Sequence, residues 1–318
     1  MGERLEDQLD RLDADAPGEH RALELMLSGD LPCAVCGYEL SGLSVVGSCP
    51  ECGCPIKTTL MLAVDPEADT LEPLVAPLRT AIGLVAWSSA GVAAAATVWF
   101  QRIADAVCVL RHTRCVYPET GWVVFGLSCM AGLSALCIVR PMRSTPRLHS
   151  ACVVLGALLT LAAGWVAMLI LSRIDPVSAS PYMGWMPMDA ERLSARLAFG
   201  GLLAASILLI RPVGRALSQR SVLLRGNHRH RQRLLALAAC CVVTMLADAS
   251  LLLAEVTGPW SMQWPLLTAR IVQIAGSMLI TVGLLAVAVD SWKIARAILR
   301  PAPRFRDVVR REPSDGDW

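Results

Sequence analysis

The sequence predicts an all-α integral membrane bundle of about six transmembrane helices, with a small cysteine-rich module ahead of it. Three observations carry this reading. The 318-residue chain is 54% hydrophobic and only 18% charged, where a soluble domain carries about 25% charged residues. Its mean hydropathy is +0.51. Its formal net charge of +2 is a cancellation: residues 1–79 hold 15 acids and 5 bases, and residues 80–318 hold 12 acids and 24 bases. That split separates two physically different parts. The composition excludes disorder for most of the chain and argues against a plain soluble globule.

Residues 1–30 read as an acidic amphipathic helical segment. Leu5, Leu9 and Leu12 share one helical face, Pro17-Gly18 breaks the pattern, and Ala22, Leu23, Leu25, Met26 and Leu27 form a second apolar cluster. Nine acids against three bases argue against docking on an anionic membrane surface. They suit packing on the next module or meeting a basic partner. No apolar run occurs before residue 81, so no cleaved signal peptide is expected.

Residues 31–56 hold the strongest chemical signal. Cys33-Ala-Val-Cys36-Gly37 is followed by Cys49-Pro50-Glu-Cys52-Gly53, a C-x2-C-x12-C-x2-C pattern. Two residues between paired thiols let both sulfurs face one ion from a tight turn. The glycine after each pair permits the positive φ that closes the turn. Cys33, Cys36, Cys49 and Cys52 would supply the closed four-thiolate shell of structural Zn2+, with no open position for hydrolytic water. Leu40, Leu43, Val45 and Val46 offer a very small core whose folding would depend on the metal. Iron is the alternative ion, as in a rubredoxin-like electron-transfer site. Disulfides suit a cytoplasmic module poorly, and a thioredoxin-like site needs only one such pair. Cys54 is a bystander or a reserve ligand.

Cys33-Ala-Val-Cys36-Gly37-Tyr38-Glu-Leu40-Ser-Gly42-Leu43, then Cys49-Pro50-Glu-Cys52-Gly53, resembles the short zinc ribbon of a group of uncharacterised bacterial membrane proteins. In these a ribbon of pattern C-x-x-C-G-Y-x-L-x-G-L … C-P-x-C-G precedes several transmembrane helices. The resemblance implies a zinc-ribbon head on a bacterial inner-membrane protein and no particular task for the helices. The same knuckles resemble those of rubredoxins, but the middle of 12 residues is short and Tyr38 is its only aromatic.

Residues 57–79 form a linker or interfacial segment, since Pro66, Pro73 and Pro77 exclude a long helix. Residues 80–290 form the transmembrane domain. Uncharged runs cover Thr80–Gln101, Thr120–Val139, Leu148–Ser172 and Ile271–Val289, with 22, 20, 25 and 19 residues. Each can cross a hydrocarbon core of about 30 Å. Leu193–Ile210 contains Arg196 and Leu234–Ala254 contains Asp248; both can span if the charge lies near an interface or faces the bundle. The six spans are 80–100, 120–139, 149–171, 194–210, 234–254 and 268–289. Small residues such as Gly91, Gly200, Gly201, Ala204 and Ala205 suit close helix packing.

Residues 291–318 are a basic tail. With six spans, 22 bases fall on the side of both termini and seven on the other, so the positive-inside rule puts both termini in the cytoplasm. Trp99, Trp122, Trp185, Trp260 and Trp264 fall at outer span ends and Trp292 at an inner one, as an aromatic belt would.

Two further constellations stand out. Asp248 and Arg270 lie at similar depth on adjacent spans and suggest an intramembrane ion pair. It would be either a helix lock or part of a proton or substrate site. Arg211, Arg215, Arg220, Arg225, Arg229, Arg231 and Arg233 make a basic cytoplasmic loop. Contact with anionic lipid explains it, and so would an acidic residue 1–30 segment folding over it. No aromatics interleave to stack bases, so no specific nucleic acid is expected. Cys108 and Cys115 fall in an outer connection where a disulfide is one option. No hydrolase, metalloprotease, phosphate-loop or dinucleotide signature occurs. Three functions remain: a non-enzymatic scaffold with a protein partner at the cytoplasmic face, a transporter- or channel-like bundle with a metal-sensing ribbon, and an iron electron carrier.

Overall fold

The computed structural model describes residues 25–65, 71–113, 119–177, 182, 190–221, 233–257 and 263–311. The chain divides into two compact units. One is Met1–Pro73 with Arg300–Trp318, and the other is Leu74–Leu299.

The first unit is a head built from both ends of the chain. Strand β1 is Leu25–Leu27, and it pairs antiparallel with β2, Val309–Arg311, with Leu27 opposite Val309. On its other edge β1 exchanges hydrogen bonds with the ribbon: Leu27 N–H donates to Leu43 O at 2.9 Å and Val45 N–H to Leu25 O at 3.0 Å. Leu25–Leu27 was expected to end a helical segment. It is extended instead because two chain segments remote in sequence satisfy its backbone on either side. Helix α1, Ile56–Ala63, follows the second knuckle. It buries Ile56 and Leu60 against Leu27, Leu31 and Leu40, and the tail adds Val308 to the same core. Of the four apolar residues expected inside the ribbon, Leu40 and Val45 are buried and Leu43 packs on the core, but Val46 is 64% exposed.

The second unit is helical. It comprises α2 (Pro77–Arg111), α3 (Gly121–Leu136), α4 (Arg147–Leu169), α5 (Ala190–Ser218), α6 (Arg233–Thr257) and α7 (Gln263–Leu299). Pro77 starts α2 at a position where its missing N–H costs nothing. A π-turn, Ile170–Ile174, and a 3-10 turn, Asp175–Val177, extend α4. Each helix packs on its sequence neighbours, and α7 returns to α2, so the six close into a ring.

Five of these helices are long and apolar enough to cross a membrane, which points to an integral membrane protein. The exception is α3, with 16 residues, about 24 Å at 1.5 Å per residue. The expected second span reached Val139, but the helix stops at Leu136. Pro141 holds the residue before it out of helical geometry, and the chain turns so that Val75 N–H donates to Pro141 O at 2.9 Å.

Small residues set the helix spacing. A Cβ on Gly164 would strike Ser128, one on Gly83 would strike Cys137, and one on Gly276 would strike Thr244. Ser206 Oγ donates to Gly156 O at 2.9 Å and lies 2.7 Å from Thr160 Oγ1, tying α5 to α4. Of the tryptophans expected in a belt, Trp122 and Trp292 are exposed. Trp99 instead turns inward and donates to Thr281 at 2.8 Å. Trp185 and Trp260, and the side chain of Trp264, lie outside the description.

Because the tail closes the head core, removing residues 300–318 should expose Leu27 and Leu31. Limited proteolysis of the full-length and truncated proteins checks this. Cleavage within 25–65 is expected to accelerate about tenfold or more, the effect of losing more than about 1.4 kcal/mol of local stability. An unchanged cleavage pattern would contradict the shared core.

Candidate metal centre

The two knuckles have the same backbone plan. In the first, Cys33 N–H donates to Tyr38 O at 2.7 Å and Gly37 N–H donates to Cys33 O at 2.9 Å. In the second, Cys49 N–H donates to Cys54 O at 2.8 Å and Gly53 N–H donates to Cys49 O at 2.8 Å. Gly37 and Gly53 have φ of 76° and 70°. A Cβ on either would meet nothing within 4 Å, so the backbone conformation alone calls for glycine there.

The Sγ atoms of Cys33, Cys36, Cys49 and Cys52 all lie within 4.8 Å of one another. Cys33 to Cys52 is 3.6 Å and Cys36 to Cys49 is 3.5 Å. A tetrahedral ion with metal–sulfur bonds of about 2.3 Å has sulfur–sulfur edges of about 3.8 Å, so the four residues fit such a group. Among the described residues they are the one cluster of His, Cys, Asp or Glu placed to hold a metal. Cys54 is not part of it. Sequence reasoning missed Thr59, on α1. Its Oγ1 accepts from Ala34 N–H at 3.3 Å and lies 4.0 Å from Cys33 Sγ, so the helix braces the first knuckle. Nothing in the local pattern marks Thr59 out, because the contact needs α1 to fold back over the knuckle.

The thiols are not equivalent. The N–H groups of Cys36 and Val35 point at Cys33 and hold its thiol down to about 6. At Cys52 the N–H of Cys54 favours the thiolate, but burial and the neighbouring Cys36 and Cys33 sulfurs outweigh it and push the thiol up to about 12. Cys36 is also raised: the N–H of Tyr38 acts against the shift, and burial and the Cys49 and Cys33 sulfurs prevail. One thiolate therefore forms readily, and further negative charge in the same few ångströms needs a cation.

The other expected residues lie in the helical unit. Asp248 does not pair with Arg270 as expected. Arg196 Nε approaches Asp248 Oδ1 at 3.4 Å, and Gln273 Nε2 also donates to Asp248. The two charges that interrupted separate spans thus neutralise each other across α5 and α6. Beside them Arg192 Nε lies 2.8 Å from Asp175 Oδ1, and Tyr182 Oη donates to Asp175 at 2.7 Å. Of the basic loop, Arg211, Arg215 and Arg233 border a small cleft of about 70 Å³ at the other end of the ring. Arg233 pairs there with Asp290 at 2.6 Å. Arg220 follows α5, and Arg225, Arg229 and Arg231 lie outside the described residues. So does the acidic segment to residue 24. Cys108 is disulfide-bonded; its expected partner, Cys115, also lies outside.

Comparison with family models, with characterised proteins and with solved structures finds no match to this chain.

Three outcomes follow from this geometry. Cys49→Ser is expected to abolish stoichiometric metal binding and Cys54→Ser to leave it intact; equal loss in both would contradict the ligand assignment. Zinc added to the metal-free protein at about pH 7.5 should release protons from Cys36 and Cys52, so affinity should rise with pH. Calorimetry in buffers of different ionisation enthalpy reads that release. The lowered Cys33 value works in the same sense: its stabilisation is complete above the ordinary thiol value and is lost as pH falls through about 6. In the bundle, Arg196→Gln should cost about 3–5 kcal/mol by stranding the Asp248 charge. The double change Arg196→Gln with Asp248→Asn should recover part of that loss in thermal unfolding.

Proposed function

We propose that this is a non-enzymatic multi-pass membrane protein whose zinc ribbon docks a protein partner at the cytoplasmic face, the six-helix ring serving as its membrane anchor. The observation that carries the reading is the surface of the head. Its core is closed, yet Val35 at the tip of the first knuckle is 69% exposed and Val46 in the connection between knuckles is 64% exposed. Tyr38 is also exposed. Large apolar side chains on so small a module suit a contact with another protein. A four-thiolate site has no open position for catalysis, which supports a structural part for the metal. Zinc is favoured over iron because a short middle with one aromatic does not build the apolar shell of an electron carrier.

The orientation rests on redox chemistry as well as on the basic flanks. The chain leaves the head at Pro73 and enters α2 at Pro77. Cys108 lies 31 residues along that helix, roughly 45 Å at 1.5 Å per residue. A disulfide at that end suits an oxidising space, and free ribbon thiols suit a reducing one. Both termini then face the cytoplasm, with all six helices spanning and α3 the short one.

Affinity purification from native membranes tests the reading, with Val35→Asp and Val46→Asp as the variants. A partner recovered in fixed ratio with the wild type is expected to fall about tenfold or more in the variants, as for loss of a central contact, while metal content is unchanged. A partner retained by both variants, or a wild-type protein that purifies without one, would contradict it.

A further inference from the structure

The axis of the six-helix ring is not filled. A cavity of about 270 Å³ is lined by residues from all six helices. Its two ends differ in chemistry. One end carries Arg102, Arg192 and Arg196 with Asp175, Asp248 and Tyr182. The rest is apolar, with Ala94, Ala131, Leu203 and Leu284 among its walls. It borders an apolar cluster of Ile207, Leu237, Ala238, Cys241 and Val287 with Trp87, of which Cys241 also lines the cavity. On α2, α5, α6 and α7 this cluster falls between the cavity and the small arginine-lined cleft. This apolar cluster separates the chamber from the cleft.

Buried Asp105, which accepts from Tyr182 N–H at 2.9 Å, is not among the residues lining the chamber, and the lining itself holds three guanidiniums and two carboxylates. Asp175 is matched to Arg192 and Asp248 to Arg196. Arg102 is the third guanidinium. It donates to Ser277 Oγ at 2.8 Å and lies over the rings of Trp99 and Tyr182, at 5.1 and 5.7 Å. Among the described residues it has no carboxylate partner, and its buried Nε makes no hydrogen bond. A guanidinium that lines an apolar chamber with its buried Nε unbonded offers donors to an anionic group. The π-turn immediately before Asp175 is a rare backbone feature found mostly at functional sites.

We propose that the chamber binds a single-chain anionic amphiphile, a fatty carboxylate or an alkyl phosphate. The anionic head would sit against Arg102 and the chain along the Ala94, Leu203 and Leu284 walls. The volume suits one acyl chain rather than a two-chain lipid, and a mainly apolar wall with a few convergent polar groups is the usual form of a ligand site. The inference is independent of what the head docks.

The test uses the full-length protein in nanodiscs. Its probes are laurate, dodecyl phosphate, dodecanol, dodecylamine and inorganic phosphate. Two readouts apply: the thermal midpoint, and alkylation of Cys241, a buried thiol that lines the chamber, by N-ethylmaleimide, followed by mass spectrometry against the neighbouring Cys240. Laurate and dodecyl phosphate are expected to bind one per chain, raise the midpoint and slow Cys241 alkylation several-fold without slowing that of Cys240. Dodecanol, dodecylamine and inorganic phosphate should do neither. Arg102→Gln should weaken laurate binding at least tenfold, and Ala94→Leu should abolish it by filling the chamber. Dodecanol acting as well as laurate would overturn the headgroup assignment. Inorganic phosphate acting alone would show a simple anion site, and a more strongly bound dodecylamine would reverse the sign of the charge argument. Should either variant fail to fold, the wild-type probe series and the Cys241 protection decide the matter by themselves.

Discussion

Four sulfurs within 4.8 Å of one another cannot all carry negative charge without a cation among them. That constraint organises the head. The knuckle backbone is spent on bringing the sulfurs together, through two repeated sets of hydrogen bonds and two left-handed glycines. What remains of the module is small: a two-stranded pairing, one helix of eight residues and a core of a few leucines and valines. A core of that size stabilises a fold only weakly. The returning tail supplies part of what the ribbon lacks by adding Val308 and Val309 from the far end of the chain, and a metal held by the four sulfurs would supply more by cross-linking residues 33–52.

The helical unit obeys a related rule with a different solution. Charge buried in an apolar bundle has to be matched, and here most of it is matched by side chains rather than by an ion. Arg196 meets Asp248, and Arg192 meets Asp175. These pairs do two things. They let α5 and α6 lie in a bundle otherwise built from apolar and small residues, and they gather charge at one end of the central cavity. Glycine and alanine draw the helices together at Gly83, Gly164 and Gly276. The ring nevertheless keeps an unfilled axis.

Much of this was legible in the sequence. The cysteine spacing and the glycines after each pair determine a local structure, so the tetrathiolate cluster was readable without a fold. Helices longer than a bilayer core announce themselves by the absence of charge over about 20 residues. The misreadings share one cause, which is dependence on a partner remote in the chain. Leu25–Leu27 looks helical by its own apolar pattern and becomes a strand because Val309–Arg311 and residues 43–45 flank it. Asp248 was assigned to Arg270 by span adjacency. It reaches Arg196 instead, because α6 packs on α5 as well as on α7. Trp99 resembles a belt residue by position and serves as a cavity wall because the ring closes α2 against α7. The uncharged run to Val139 carries the expected span past Leu136, where the chain approaching Pro141 leaves the helix.

The identity and amount of metal in the head decide whether the four sulfurs form a structural zinc centre. Elemental analysis and the visible spectrum of the full-length wild-type protein, purified without added metal or chelator, measure them most directly. The expected result is one zinc per chain in a colourless protein. Iron with visible thiolate-to-metal bands would make the head an electron carrier. A metal-free protein with Cys33, Cys36, Cys49 and Cys52 in disulfides would contradict both the tetrathiolate centre and the proposed cytoplasmic placement of the head.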